Sequence, residues 1–304
     1  MTSIGTIFSQ TAIMFLLMMV GYICYRVKIL DRRGSKQISD LVIYVANPAL
    51  LVNSFAGHFP TSQLHYAGYT LVLLGVIYIV TILGAYFMFP HHQELNQFAM
   101  VFANVGFIGI PLAKQVLGNA SVFYMSLFVG VTNFIIWTYG LYLISQDKQN
   151  IAMKKLIVNP AIIALFLGLF LALTHIQLSH IIGTTISDLS NMNLPLVMVA
   201  LGCYLAEGDV KRALRSIDLY KATLSRLVIA PLLTLLILMF VPNQLLVLKM
   251  TLLLGQATPV GVLMAVFSKT YGKDYLYSTA VVGISTLFSL VTIPCMIWVA
   301  QLVW

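Results

Sequence analysis

Two stretches of this 304-residue chain set glycine, proline and side-chain amides into otherwise apolar sequence. The first reads Phe102-Ala103-Asn104-Val105-Gly106-Phe107-Ile108-Gly109-Ile110-Pro111, the second Gly255-Gln256-Ala257-Thr258-Pro259-Val260-Gly261. Glycines weaken a helix, and proline removes a backbone donor. Each stretch is expected to break a helix and to open a half-helix N-terminus with unbonded N–H groups and a partial positive charge. Two such ends facing each other suit an anion, and Asn104, Gln256 and Thr258 add neutral donors beside the breaks. The chemistry expected is anion binding. No Ser/His/Asp set, paired acids or HExxH helix accompanies these residues. The six His lack metal-ligand spacing, and Cys24, Cys203 and Cys295 make no CxxC pair. Neither an enzyme nor a metal or cofactor is expected.

Such ends need a frame, and composition says what kind. The chain is 60% apolar and 9% charged, with a mean hydropathy of +0.94. A soluble domain carries roughly 25% charged residues, so soluble enzymes, nucleic-acid binders and disordered proteins are excluded. A bilayer core needs about 20 apolar residues per helix. Stretches of that kind fall at residues 4–26, 38–57, 65–89, 97–117, 120–144, 157–174, 181–206, 221–241, 244–268 and 275–301. They are long and continuously apolar, which favours helices over a β-barrel. The fold expected is an all-α integral membrane protein with ten transmembrane helices.

Lys and Arg orient them. With both termini outside the cytoplasmic membrane, the inner segments collect Arg26, Lys28, Arg32, Arg33, Lys36, Lys148, Lys154, Lys155, Lys211, Arg212, Arg215, Lys221, Arg226, Lys269 and Lys273. Those are 15 of the 17 basic residues; Lys114 and Lys249 remain. The net charge of +8 is thereby explained by topology, without nucleic acid.

Five spans per half require an inverted repeat. Pro48 precedes Pro195 by 147 residues and Pro111 precedes Pro259 by 148. Gly118 precedes Gly272 by 154, and Val129-Gly130-Val131-Thr132 precedes Val282-Gly283-Ile284-Ser285 by 153. The halves are 1–145 and 157–304, joined by a cytoplasmic linker at 146–156. Among intramembrane charges, Lys114 can meet a substrate carboxylate or snorkel to the outer interface. Lys249 reads as an interface anchor. Asp188 either lines a vestibule or caps a solvated helix end.

The run Asn104-x-Gly106-Phe107-x-Gly109-x-Pro111 with Asn133 beyond it resembles the auxin efflux carrier family, bacterial malate permeases and plant auxin exporters among them. Pro48, Pro195 with Leu201-Gly202 and Leu205-Ala206, and the break at Pro259 extend the resemblance over essentially the whole chain. It implies two inverted five-helix repeats with broken helices 4 and 9 crossing at the substrate site. It implies a scaffold of helices 1, 2, 6 and 7 that makes a homodimer contact in the bilayer. Helices 3–5 and 8–10 would form a transport part moving as an elevator, and the substrates would be small organic anions such as malate or auxin-like acids. Asn104 and Asn133 match family asparagines near the crossing; Gly106, Gly109, Pro111 and Pro259 match the breaks.

Two other functions compete. A carrier of the bile-acid/sodium symporter type would couple to Na⁺ or H⁺, with Asp188 as the one acid in reach. An aquaporin-like channel is suggested by Asn47-Pro48-Ala49 and Asn159-Pro160-Ala161, but Ile162 stands where the pore arginine belongs.

Overall fold

A computed structural model describes residues 4–55, 65–146, 158, 160–174, 176, 178–208 and 214–304. The expected linker lies almost wholly outside these residues, as do Lys148, Lys154, Lys155, Asn159, Lys211 and Arg212. The described chain is helical, without a β-strand among the described residues. Five helices are long and apolar enough to cross a membrane: Ala67–Met88, Asn119–Ser145, His180–Glu207, Ile217–Leu238 and Tyr275–Val303. Shorter apolar helices cover Ala12–Arg26, Val105–Leu117 and Ile162–Leu171.

In chain order, α1 is Ile4–Arg26, α2 Arg32–Leu41, α3 Asn47–Phe55, α4 Ala67–Met88 and α5 Glu94–Val101. Then come α6 (Ile110–Leu117), α7 (Asn119–Ile135), α8 (Leu141–Ser145), α9 (Pro160–Thr174), α10 (His180–Asn191) and α11 (Asn193–Glu207). The last five are α12 (Ile217–Leu224), α13 (Ala230–Leu238), α14 (Leu246–Ala257), α15 (Leu263–Thr270) and α16 (Tyr275–Val303).

Proline shapes several helices without breaking them. Pro48, Pro111 and Pro231 each follow a five-residue π-turn, Val42–Ala46, Val105–Gly109 and Ser225–Ile229. A proline ring would strike the carbonyl four residues back. The wider turn relieves that clash, and the residue before each proline donates its N–H five residues back: Asn47 to Val42, Ile110 to Val105 and Ala230 to Ser225. The chain therefore runs on as helix from α2 into α3 and from the turn at Val105 into α6. Pro294 sits inside α16 without interrupting it.

The true breaks lie elsewhere. After α5 the chain is extended at Phe102 (φ −103°, ψ 104°), and helix resumes only after Asn104. This break stands a full turn before the glycines and proline that announced it. After α14 the chain is extended at Thr258 (φ −66°, ψ 152°), as a residue before proline prefers. The two breaks pair with each other. Asn104 N–H donates to Pro259 O at 2.8 Å and Gly261 N–H to Phe102 O at 3.0 Å, an antiparallel bridge between Ala103 and Val260. Gly118 (φ 82°) and Gly272 (φ 67°) then end the two second halves in the left-handed region that glycine enters at no steric cost.

The helices pack in two groups. α1 lies along α11, while α3 lies against α9 and α10. The other group sets α7 against α4, α6 and α14, and α16 against α14 and α15. The helix ends rich in basic residues are tied by ion pairs, Arg32–Glu207 at 3.0 Å and Lys273–Glu94 at 2.6 Å. Tyr275 also donates to Glu207 at 3.1 Å.

Candidate functional site

The crossing of the two breaks creates a cavity of about 70 Å³. Its wall includes the first residues after each break, Val105-Gly106-Phe107 on one side and Gly261-Val262-Leu263 on the other. The N–H groups of Val105, Gly106 and Phe107 precede the first helical bonds of their segment, Ile108 and Gly109 to Asn104 O. Those of Val262 and Leu263 precede the bonds of Met264 to Gly261 O and Ala265 to Val262 O. Two helix N-termini, each with about half a positive charge, therefore share one small space.

Side chains add polarity. Asn104 is 3% exposed, and its Nδ2 has no hydrogen-bond partner. Asn47, 7% exposed, leaves its Oδ1 unpartnered, and that oxygen lies 3.6 Å from where a Cβ on Gly106 would stand. Buried amide atoms without partners cost stability, and both residues line the cavity, so a bound polar molecule would satisfy them. Asn133 lines it too, its Nδ2 donating to Val129 O at 3.0 Å. Thr132 lies beside it, donating to Phe128 O at 2.7 Å and sharing a 2.6 Å hydrogen bond with Tyr78. Ile43, Ile136 and Trp137 make the remaining wall apolar. A smaller adjoining space shares Ile43, Phe107, Val262 and Leu263 and runs toward Val197 and Ala200 of α11.

Of the residues expected at the site, Asn104, Gly106 and Asn133 meet at the cavity. The others are not in its wall. Gly109 faces Met125, whose Sδ would lie 3.1 Å from an added Cβ. Pro111 sits in the first turn of α6. Thr258 turns its hydroxyl back to Gly255 O at 2.7 Å, and the Pro259 carbonyl accepts from Asn104. Gln256 is fully buried and turned to Arg226. Lys114 and Asp188 are exposed and do not line the cavity.

Three residues are found away from their expected places or roles. Arg226, assigned to the inner face by its charge, is wholly buried. Its Nη1 donates to Met100 O at 2.8 Å and Val101 O at 3.1 Å, its Nη2 to Gln256 Oε1 at 2.6 Å and also to Gln256 O. Lys249, read as an interface anchor, is 1% exposed; it donates to Asn243 Oδ1 at 2.8 Å and lies 4.4 Å from the Trp304 ring centre. In the sequence Asn47 stands out only by its tripeptide with Pro48 and Ala49, yet it is part of the cavity wall. Ser285 pins the second break: its Oγ accepts from Val260 N–H at 3.2 Å.

Comparison with known proteins gives two findings. A family model described as membrane transport protein matches residues 6–297. An uncharacterized transporter of Methanocaldococcus jannaschii is 24% identical over 305 residues, covering 94% of this chain and 96% of the relative.

Proposed function

The chain belongs to the membrane transport protein family, that of the auxin efflux carriers, and from that premise we propose that it is a secondary permease for small organic anions. It is a multi-pass membrane transporter and not an enzyme. The observation that carries the anion reading is the cavity at the crossing: two helix N-termini and the unpartnered Asn104 amide converge there without any acidic side chain in the wall. A carboxylate accepts from N–H groups in this geometry with charge assistance. Its organic body meets Ile43, Ile136 and Trp137.

The chain is proposed to cross the cytoplasmic membrane ten times as two inverted halves, 1–145 and 157–304, with both termini outside. Antiparallel pairing of the two breaks supports this, as do the left-handed glycines at matching places, Gly118 and Gly272. The spans holding α1, α3, α9, α10 and α11 form the proposed scaffold, through which the chain would dimerise. The spans holding α4–α8 and α12–α16 form the proposed transport part. The cavity lies where the two groups meet, with Asn47 contributed from the scaffold side. Movement of one group past the other would carry the site across the bilayer, the elevator form of alternating access.

Counterflow in proteoliposomes tests the substrate class. Labelled dicarboxylates and aromatic or aliphatic monocarboxylates are offered in turn, and at least one is expected to exchange. Exchange of neutral solutes alone would sink the proposal. Asn104→Ala is expected to cut uptake between about tenfold and a hundredfold, the worth of a hydrogen bond to a charged group. Wild-type uptake in that variant would remove the crossing from the mechanism. Asn47→Leu keeps the volume but loses the polar group. It is expected to raise KM roughly tenfold for an exchanged anion that also carries a hydroxyl or N–H donor to meet Asn47 Oδ1, at unchanged expression, and an unchanged KM for such an anion would remove Asn47 from the site.

A further inference from the structure

Arg226 stands on an apolar helical segment, Ile217–Leu238, and is wholly buried. A buried charge without a partner is very costly, and no carboxylate within ion-pair distance of Arg226 is found among the described residues. Its two Nη atoms are met by carbonyl oxygens, while Nε has no hydrogen-bond partner. Met100 and Val101 are the last residues of α5, and Gln256 is next to last in α14. The arginine therefore joins the C-terminal ends of the two half-helices that stop at the crossing.

Helix C-termini carry about half a negative charge each. Two of them amount to about one unit, which one guanidinium balances. The ends pointing the other way, at Val105 and Leu263, keep their positive character for the cavity. The guanidinium fork also fixes distance: one nitrogen spans two carbonyls of α5 while the other holds both oxygens of Gln256. A fork of that shape holds two elements in register, which a single ammonium does less well.

We propose that Arg226 is a resident cation of the crossing, a positioning residue that neutralises the two carbonyl ends and so keeps the opposite ends aimed at the substrate. Its place is one that an inorganic cation would otherwise have to fill. The wild-type protein accordingly needs no bound Na⁺ or K⁺ at this point, whereas a protein without the guanidinium acquires a vacancy ringed by carbonyls that a small cation can enter.

The test uses the purified full-length protein and its Arg226→Ala and Arg226→Lys variants, read by thermal melting in choline, Na⁺, K⁺ and low methylguanidinium. This readout does not depend on knowing the substrate, so it stands or falls apart from the anion proposal. Wild-type melting is expected to be the same in all four. Arg226→Ala is expected to melt lower in choline and to recover in methylguanidinium, Na⁺ or K⁺, and Arg226→Lys is expected to fall between. Where an exchanging anion is known, the same additions are expected to restore at least roughly tenfold of the lost uptake. An Arg226→Ala protein that melts and transports like wild type overturns the proposal. So does one that is weakened but indifferent to every added cation, since that is a packing defect alone. If Arg226→Ala does not fold, Arg226→Lys carries the test: a melting point equally low in all four media overturns the proposal, and a cation-dependent one supports it.

Discussion

Gly106→Asp is expected to fold and to stop transporting. Gly106 sits in the first turn after the break at Asn104, where N–H groups have no helical partner. Its backbone is outside the left-handed region, so an L-residue is tolerated. A Cβ there would meet Asn47 Oδ1 at 3.6 Å and Val129 at 3.7 Å, ordinary contact distances. The new carboxylate would extend into the cavity and take the N–H groups that a substrate carboxylate would use. An acidic group in the first turn of a helix stabilises it by about 0.3–1 kcal/mol, more when partly buried, which offsets part of its desolvation cost. Melting is therefore expected to change little. Uptake is expected to fall by more than about a hundredfold, a loss of roughly 2.7 kcal/mol, because a second anion would face a fixed negative charge in a low-dielectric space. Gly106→Asn supplies nearly the same volume without charge and is expected to lose far less. Equal loss in both variants would mean that filling the space matters and its charge preference does not. Normal uptake in Gly106→Asp would place the anion elsewhere.

The proposed site takes its charge from helix ends, and this explains which parts of it could be read from sequence. Pro259 forces its predecessor into extended backbone by local sterics, so the second break falls where the residues say. Asn104 and Gly106 stood out as an amide and a glycine in an apolar run, Asn133 was named through the family resemblance, and the three meet at the cavity. The place of the first break within residues 102–111 was not legible. Phe102-Ala103-Asn104 has no residue that dislikes a helix strongly, and its extended form is imposed by pairing with Thr258–Gly261, more than 150 residues away in sequence. Local composition pointed instead to Gly106, Gly109 and Pro111, through which a π-turn carries the helix on. Arg226 was misplaced for a related reason. Counting basic residues assumes that each ends in water or headgroups, and a guanidinium can instead be paid for by carbonyls at helix ends that no pattern of side chains reveals. Asn47 was hidden because its role depends on α3 meeting the crossing from the other helix group. The composition that identified a membrane protein acts through solvent alone; these three features act through tertiary contact.

Tertiary contact is closest between α1 and α11, and there a single methyl group is expected to be decisive. A Cβ on Gly202 would lie 2.0 Å from Met18 O and 2.6 Å from Tyr22 N. A Cβ on Gly21 would lie 2.1 Å from Val199 O. These neighbours are backbone atoms, which have no rotamer by which to yield, and the contact is reciprocal. Cys203 closes it with an Sγ–H donated to Gly21 O at 3.4 Å. Inside a bilayer, lipid is as apolar as leucine, so close backbone packing of this kind is a main source of helix association. Gly202→Val must push the two helices apart along their length. Overpacking against yielding side chains costs about 1–3 kcal/mol, and backbone against backbone is expected to exceed that, lowering the melting temperature by about 10 °C or more. Gly75→Ala in α4 is the control: nothing lies within 4 Å of its Cβ position, and alanine in a helix interior is expected to help by up to about 1 kcal/mol. The prediction separates packing from binding as well. Gly202 does not line the cavity, so the fraction of Gly202→Val protein that remains folded is expected to show wild-type KM with reduced maximal uptake. A melting temperature equal to wild type would mean that α1 and α11 do not touch through these glycines, and the proposed scaffold would lose its closest internal contact.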